Sequence, residues 1–220
     1  MSLFCRKNFY ICDKVVFYME SVESKIEKVL VENGEGKVYF PCDFLHLGNP
    51  KAVSKALQRL SDRDVLMRMG QGIYCTPHYD TEFGMGVIPA GRDAVAQAVA
   101  KRDGIRLMAS AFQAQNYLHM SDQVQMNFVY STDGPSRKIH LFKGRPIVFI
   151  HVPPKIFDYK SHVAQLTVLA LLDYGQGKIW PDEMEGLREA YREIPFSEVE
   201  ADLPKMPRWI SKIVRGFYEN

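Results

Sequence analysis

Five residues in the first third of the chain have the types and spacing to recognise nucleic acid: Lys51, Ser54, Lys55, Gln58 and Arg59. Projected on a helix at about 100° per residue with Lys51 at 0°, they fall at roughly 0°, 300°, 40°, 340° and 80°. Val53, Ala56, Leu57 and Leu60 fall on the other side, at roughly 200°, 140°, 240° and 180°. One face can pack on a core, while the other offers cations, a hydroxyl and an amide with no acid among them. Such groups bind phosphate oxygens and read base edges in a DNA major groove. Asn49 supplies a cap, and Pro50 takes the first helical position, where no N–H is required. A basic outer face also occurs on helices that never meet nucleic acid, so the neighbouring elements must decide its use.

Those neighbours follow a recognisable order. Val22, Ile26, Val29 and Leu30 mark an amphipathic helix from about Ser21 to Glu32, ended by Asn33-Gly34. Lys37–Phe40 reads as a short strand, and Pro41–Leu45 opens a brief second helix that stops at Leu47-Gly48. After Arg63 the period changes. Val65–Met69 and Ile73–Cys75 flank Gly70-Gln71-Gly72 as a β-hairpin. The Gly70-x-Gly72 pair is a tight turn and not a phosphate loop, because the longer glycine spacing and a following helix are both missing. Helix, strand, helix, helix, hairpin is the order of a winged helix-turn-helix over residues 19–77, with Arg68 and Gln71 near the tip of the wing. Glu20, Glu23, Glu27 and Glu32 make the first helix acidic, which points to one directed basic face and not a generally cationic domain.

Residues 78–90 contain Gly and Pro and read as a linker, followed by a mixed α/β region over 91–220. Here Ala94, Val95, Ala98 and Val99 define a helix ending near Asp103-Gly104, and Ser110–Leu118 forms another after the strand Ile105–Met108. Phe128–Tyr130, Lys138–Phe142 and Pro146–His151 read as strands. The stretch Val129–Lys138 reads as strand, Asp133-Gly134-Pro135 turn, strand. In it, Asp133 caps the turn and Arg137 points to solvent, or Arg137 and Lys138 form a second anion-facing patch beside the wing. Three helical segments close the chain, at Val163–Leu172, Pro181–Arg192 and from Pro207 onward. The last buries Trp209, Ile210, Ile213, Val214 and Phe217 along one side. The fold class expected is α+β, an N-terminal winged helix-turn-helix followed by a mixed domain ending in helices.

The 220 residues suit one large domain or two small ones, and 46% hydrophobic with 25% charged residues is ordinary for a globular protein. A net charge of +2 is no nucleic-acid signature, so any basic surface has to be local. Cys5, Cys12, Cys42 and Cys75 form no CxxC pair and read as reduced thiols of a cytoplasmic protein. The six histidines show no ligand spacing, and neither a Walker loop, a His-Glu-x-x-His nor a Gly-x-Ser-x-Gly elbow occurs. No metal, cofactor or catalytic residue is expected, nor a membrane span. Residues 1–18 are aromatic and interrupted by charge, and read as an N-terminal arm or a misassigned start before Met19.

Phe40-Pro41-x-Asp43-Phe44, Leu47-Gly48, Val53-x-Lys55-Ala56-Leu57-x-Arg59-Leu60 and Gly70-x-Gly72-Ile73-Tyr74 resemble the bacterial AbiEi-like antitoxins, in an uncharacterised branch of that family. The resemblance continues through Ala94–Arg102, Val129–Arg137 and Trp209-Ile210, over roughly residues 20–215. It implies a winged helix that binds double-stranded operator DNA and a C-terminal domain linked to antitoxin activity in abortive phage infection. It also implies a nucleotidyltransferase-like toxin as a functional partner, with no stable complex required. The leading expectation is a non-enzymatic regulator in which Lys51, Lys55 and Arg59 contact phosphates or guanine edges. Ser54 and Gln58 then read bases, and Arg68 and Gln71 reach the flanking groove. Its rivals are a winged-helix module that binds protein, and an enzyme acting on nucleic acid or nucleotides through residues around Thr132–Arg137.

Overall fold

The computed structural model describes residues 20–80, 86–123 and 125–219, and the expectation for residues 1–18 lies outside them. The fold is α+β. Helix α1 (Val22–Asn33) starts where the Ser21 hydroxyl accepts the Ser24 N–H at 3.1 Å, and buries Ile26 and Leu30. Strand β1 (Val38–Tyr39) leads into a 3₁₀ turn, Pro41–Phe44, whose Asp43 carboxylate accepts the Phe40 N–H at 2.8 Å. Helix α2 (Pro50–Asp62) follows, then strands β2 (Met67–Gly70) and β3 (Ile73–Cys75). The three strands pair antiparallel in the order β1-β3-β2. Ile26, Leu30, Phe44, Val53, Leu57, Leu60 and Leu66 form the core between these elements.

Where a linker was expected, β4 (His78–Asp80) and β5 (Gly86–Ile88) pair as an antiparallel ribbon. Helix α3 (Arg92–Asp103), β6 (Leu107–Ala109) and α4 (Ala111–Tyr117) come next, the last opened by a Ser110–Gln113 capping box. Strands β7 (Phe128–Thr132), β8 (Arg137–Ile139) and β9 (Ile147–His151) complete a sheet ordered β6-β7-β9-β8. Strand β9 lies between β7 and β8, parallel to the first and antiparallel to the second. The Asp133-Gly134-Pro135 segment therefore does not fold β8 back onto β7 as a hairpin; it carries the chain past the position that β9 fills. Residues 78–90 do not isolate two cores either. Phe40 and Ile73 from the first half pack with Val95, Val99, Tyr130, Ile147 and Phe149 from the second.

The chain ends in α5 (His162–Tyr174), α6 (Pro181–Tyr191), the short α7 (Phe196–Val199), a 3₁₀ turn and α8 (Arg208–Gly216). Leu118, Leu166, Leu171, Leu187, Val199, Ile210 and Val214 are buried among them. A polar clasp fixes the start of α5. The fully buried Asp202 carboxylate accepts the Lys160 and Ser161 N–H groups at 2.7 Å each, and the Lys205 ammonium at 2.8 Å. Burial alone would raise this carboxyl, but the Lys205 contact and the two N–H groups outweigh it and hold its pKa below the ordinary value. Among the described residues no helix is long and apolar enough to cross a membrane.

Candidate nucleic-acid interface

The interface is built outward from α2. The Asn49 side-chain oxygen accepts the Ala52 N–H at 2.9 Å, and Pro50 sits at the first turn. Val53, Leu57 and Leu60 are fully buried and Ala56 nearly so, which fixes the rotation of the helix about its axis. Burying a leucine of this kind stabilises by about 1.5–3 kcal/mol, far more than any surface contact on the other side supplies. That rotation leaves Lys51, Ser54, Lys55, Gln58 and Arg59 all exposed, with Arg59 on the edge toward α1.

The exposed side chains are not equivalent. Lys51, Ser54, Lys55 and Gln58 have no side-chain partner among the described residues. Arg59 instead reaches toward α1, where its Nη1 lies 3.4 Å from Glu23 Oε2. Arg63, at the end of the helix, lies 2.8 Å from Glu23 and 3.0 Å from Glu27. The acidic residues of α1 thus partner the C-terminal end of α2 and leave its first two turns uncompensated. Arg59 stands at the boundary between the two regions.

Gln71 lies at the turn of the β2–β3 hairpin, exposed, and Arg68 two residues before Gly70, opposite Tyr74. The Arg68 guanidinium covers the ring of Phe142 at 5.3 Å, a contact with the second half of the chain. The hairpin is held there by backbone as well. Gly70 bridges Leu141 antiparallel, and the Phe142 N–H donates to the Met69 carbonyl at 2.8 Å. A Cβ on Gly70 would stand 2.8 Å from the His140 carbonyl oxygen, so this position requires glycine for close approach and not for its φ.

Arg137 and Lys138 part company. Arg137 pairs with Asp103 at the end of α3 and lies over the Phe149 ring at 5.4 Å, so its charge is engaged within the sheet–helix layer and is not free for an external anion. The reason is the strand period. Arg137 shares a sheet face with Phe149 and Tyr130, which pack on α3, whereas Lys138 lies on the opposite face and is exposed. Asp133 caps no simple turn. It accepts the Arg106 N–H at 2.8 Å and its guanidinium at 2.6 Å, and these contacts, the guanidinium foremost, lower its pKa. The sequence carried no signal for Glu23 and Arg63 as modifiers of the helix face, nor for Phe142 as the partner of Arg68. Each depends on a contact between residues far apart in the chain.

A family model described as a family of unknown function (DUF6088) matches residues 25–196, most of the chain, and the chain belongs to that family. The match runs from within α1 to the start of α7, across both halves of the fold. No curated protein matches the sequence.

Proposed function

We propose that this DUF6088 protein is a non-enzymatic, cytoplasmic DNA-binding regulator whose α1-to-β3 region acts as a winged helix-turn-helix, with α2 as the recognition helix and the β2–β3 hairpin as the wing. One observation carries the reading. Lys51, Ser54, Lys55 and Gln58 form an exposed, acid-free and unpartnered face on a helix whose rotation is fixed by a buried face, directly before a hairpin. A cationic face held in one orientation can bind phosphates and still present a hydroxyl and an amide to base edges. Arg59 acts more weakly, because Glu23 already partners it. Gln71 at the hairpin turn is placed to reach a flanking groove, with Arg68 beside it as a phosphate contact.

The resemblance to AbiEi-like antitoxins supports a specific setting, in which the protein represses its own operon and counteracts a nucleotidyltransferase-like toxin. The second reading is a winged-helix module that binds protein. It is favoured by the neutralised C-terminal end of α2, where Arg59 and Arg63 are engaged by acids. Footprinting on the DNA upstream of the protein's own gene separates the two. The DNA reading expects a protected site that Lys51→Ala with Lys55→Ala abolishes, and the protein reading expects no protection at all.

A further inference from the structure

The chain contains 26 acidic residues, yet none occurs between Asp133 and Asp158. That interval holds Arg137, Lys138, Lys143, Arg145 and Lys155 as well as His140 and His151. Its first part, from Arg137 onward, pairs with β9 and then leaves the sheet to bridge the outer edge of β2 through Leu141 and Phe142. One continuous segment, β8 and the residues just after it, therefore touches both sheets, and it lies alongside the hairpin proposed as the wing. Lys138 and His140 are exposed at alternate positions, and the Phe142 ring is 62% exposed with Arg68 stacked on it. Lys143 is exposed beside them, and neither Lys138 nor Lys143 has a side-chain partner among the described residues.

The position of this strip is fixed. The Arg92 guanidinium lies over the Phe128 ring at 4.8 Å and donates to the Arg145 carbonyl at 3.3 Å and the Lys143 carbonyl at 3.5 Å. Arg145 in turn donates to the Met126 carbonyl at 2.8 Å. Gly144, at φ +83°, is in the left-handed region, and any Cβ there would collide with the Arg92 guanidinium. Two arginines and a glycine are thus committed to holding the loop, while its two lysines and its aromatic ring point outward.

We propose that the Lys138–Lys143 segment extends the wing and binds the phosphate backbone of duplex DNA flanking the site read by α2, with Lys138 and Lys143 as the phosphate contacts and the Arg68–Phe142 stack between them. The inference rests on the DNA-binding reading of α2 and deepens it, because it makes the second half of the chain part of the DNA interface. Charge complementarity selects this occupant. The strip is cationic and acid-free, it continues the hairpin proposed as the wing, and Lys138 and Lys143 have no side-chain partner among the described residues.

The test uses the full chain and two duplexes from the protein's own upstream region, one trimmed to the footprint of α2 and one extended on the hairpin side. The wild type should bind the extended duplex more tightly and with a steeper salt dependence. Lys138→Ala with Lys143→Ala should remove that advantage, lowering the slope of log K against log salt by about two on the extended duplex, at about 0.9 per phosphate contact. The trimmed duplex should bind wild type and variant alike. Equal slopes for wild type and variant on the extended duplex overturn the inference and leave the α2 reading standing. If the wild type binds neither duplex, the α2 reading fails and the inference fails with it. Both lysines are exposed, so the double variant is expected to fold, and a thermal melt checks this before binding is compared.

Discussion

Replacing Gly70 by alanine tests whether the hairpin is locked to the second half of the molecule. The added methyl would meet the His140 carbonyl oxygen at 2.8 Å, closer than real Cβ atoms approach, and backbone on both sides limits relief. Crowding of this kind costs about 1–3 kcal/mol. Pushing the strands apart would also weaken the Phe142 N–H to Met69 carbonyl bond, worth about 0.5–1.5 kcal/mol net. Against this stands a gain of about 0.4–1 kcal/mol from the reduced freedom of the unfolded chain. The sum is a loss of about 0.5–4 kcal/mol, read as a lower urea midpoint at unchanged slope. Gly216→Ala is the control: this helical glycine has open space at its Cβ, and about 0.5 kcal/mol of stabilisation is expected. A Gly70→Ala protein as stable as wild type, or more so, would refute the lock between the hairpin and the Leu141–Phe142 segment.

Other outcomes follow from the same contacts. Asp202→Asn should cost about 2–4 kcal/mol in denaturant titrations, since it removes the charge that the Lys160 and Ser161 N–H groups and Lys205 share. The Asp202 pKa is lowered in the fold. Its contribution is therefore present above the unfolded carboxylate value of about 3.9 and is lost as pH falls through the folded value, so the variant should show a shallower acid limb of stability against pH. Tyr39→Phe should change stability by less than about 1 kcal/mol, because the buried Tyr39 hydroxyl has the Asn33 side chain beside it but completes no well-formed hydrogen bond among the described residues; a loss above that size in thermal melts would contradict this. Arg59→Ala should change the salt dependence of DNA binding less than Lys55→Ala, and equal changes would mean that the Glu23 contact does not compete with DNA.

Local rules made the first half legible. The spacing of Val53, Ala56, Leu57 and Leu60 gave the buried face of α2, and Asn49 capped it as its side chain allows. The Gly70-Gln71-Gly72 turn marked the hairpin by the same local logic. What escaped the sequence is non-local. A strand such as Ile147–His151 carries no mark of which neighbours it will choose, so its insertion between β7 and β8 could not be seen. Arg137 and Lys138 are adjacent cations in sequence, yet the two-residue period of the strand sends one to Asp103 and the other to solvent. The same limit hid the candidate site's outer part. Lys143-Gly144-Arg145 lies between two stretches that read as strands and carries no local mark of its role, because only the fold brings Phe142 against Arg68 and Arg92 beneath the loop.

The proposed role of the first two turns of α2 is to bind DNA. Its most direct test is the salt dependence of binding to the protein's own upstream duplex, for wild type and for Lys51→Ala with Lys55→Ala. Both lysines are exposed and unpartnered, so the folded variant should lose about two units of slope along with its footprint. An unchanged slope in a variant that melts like wild type would contradict the claim.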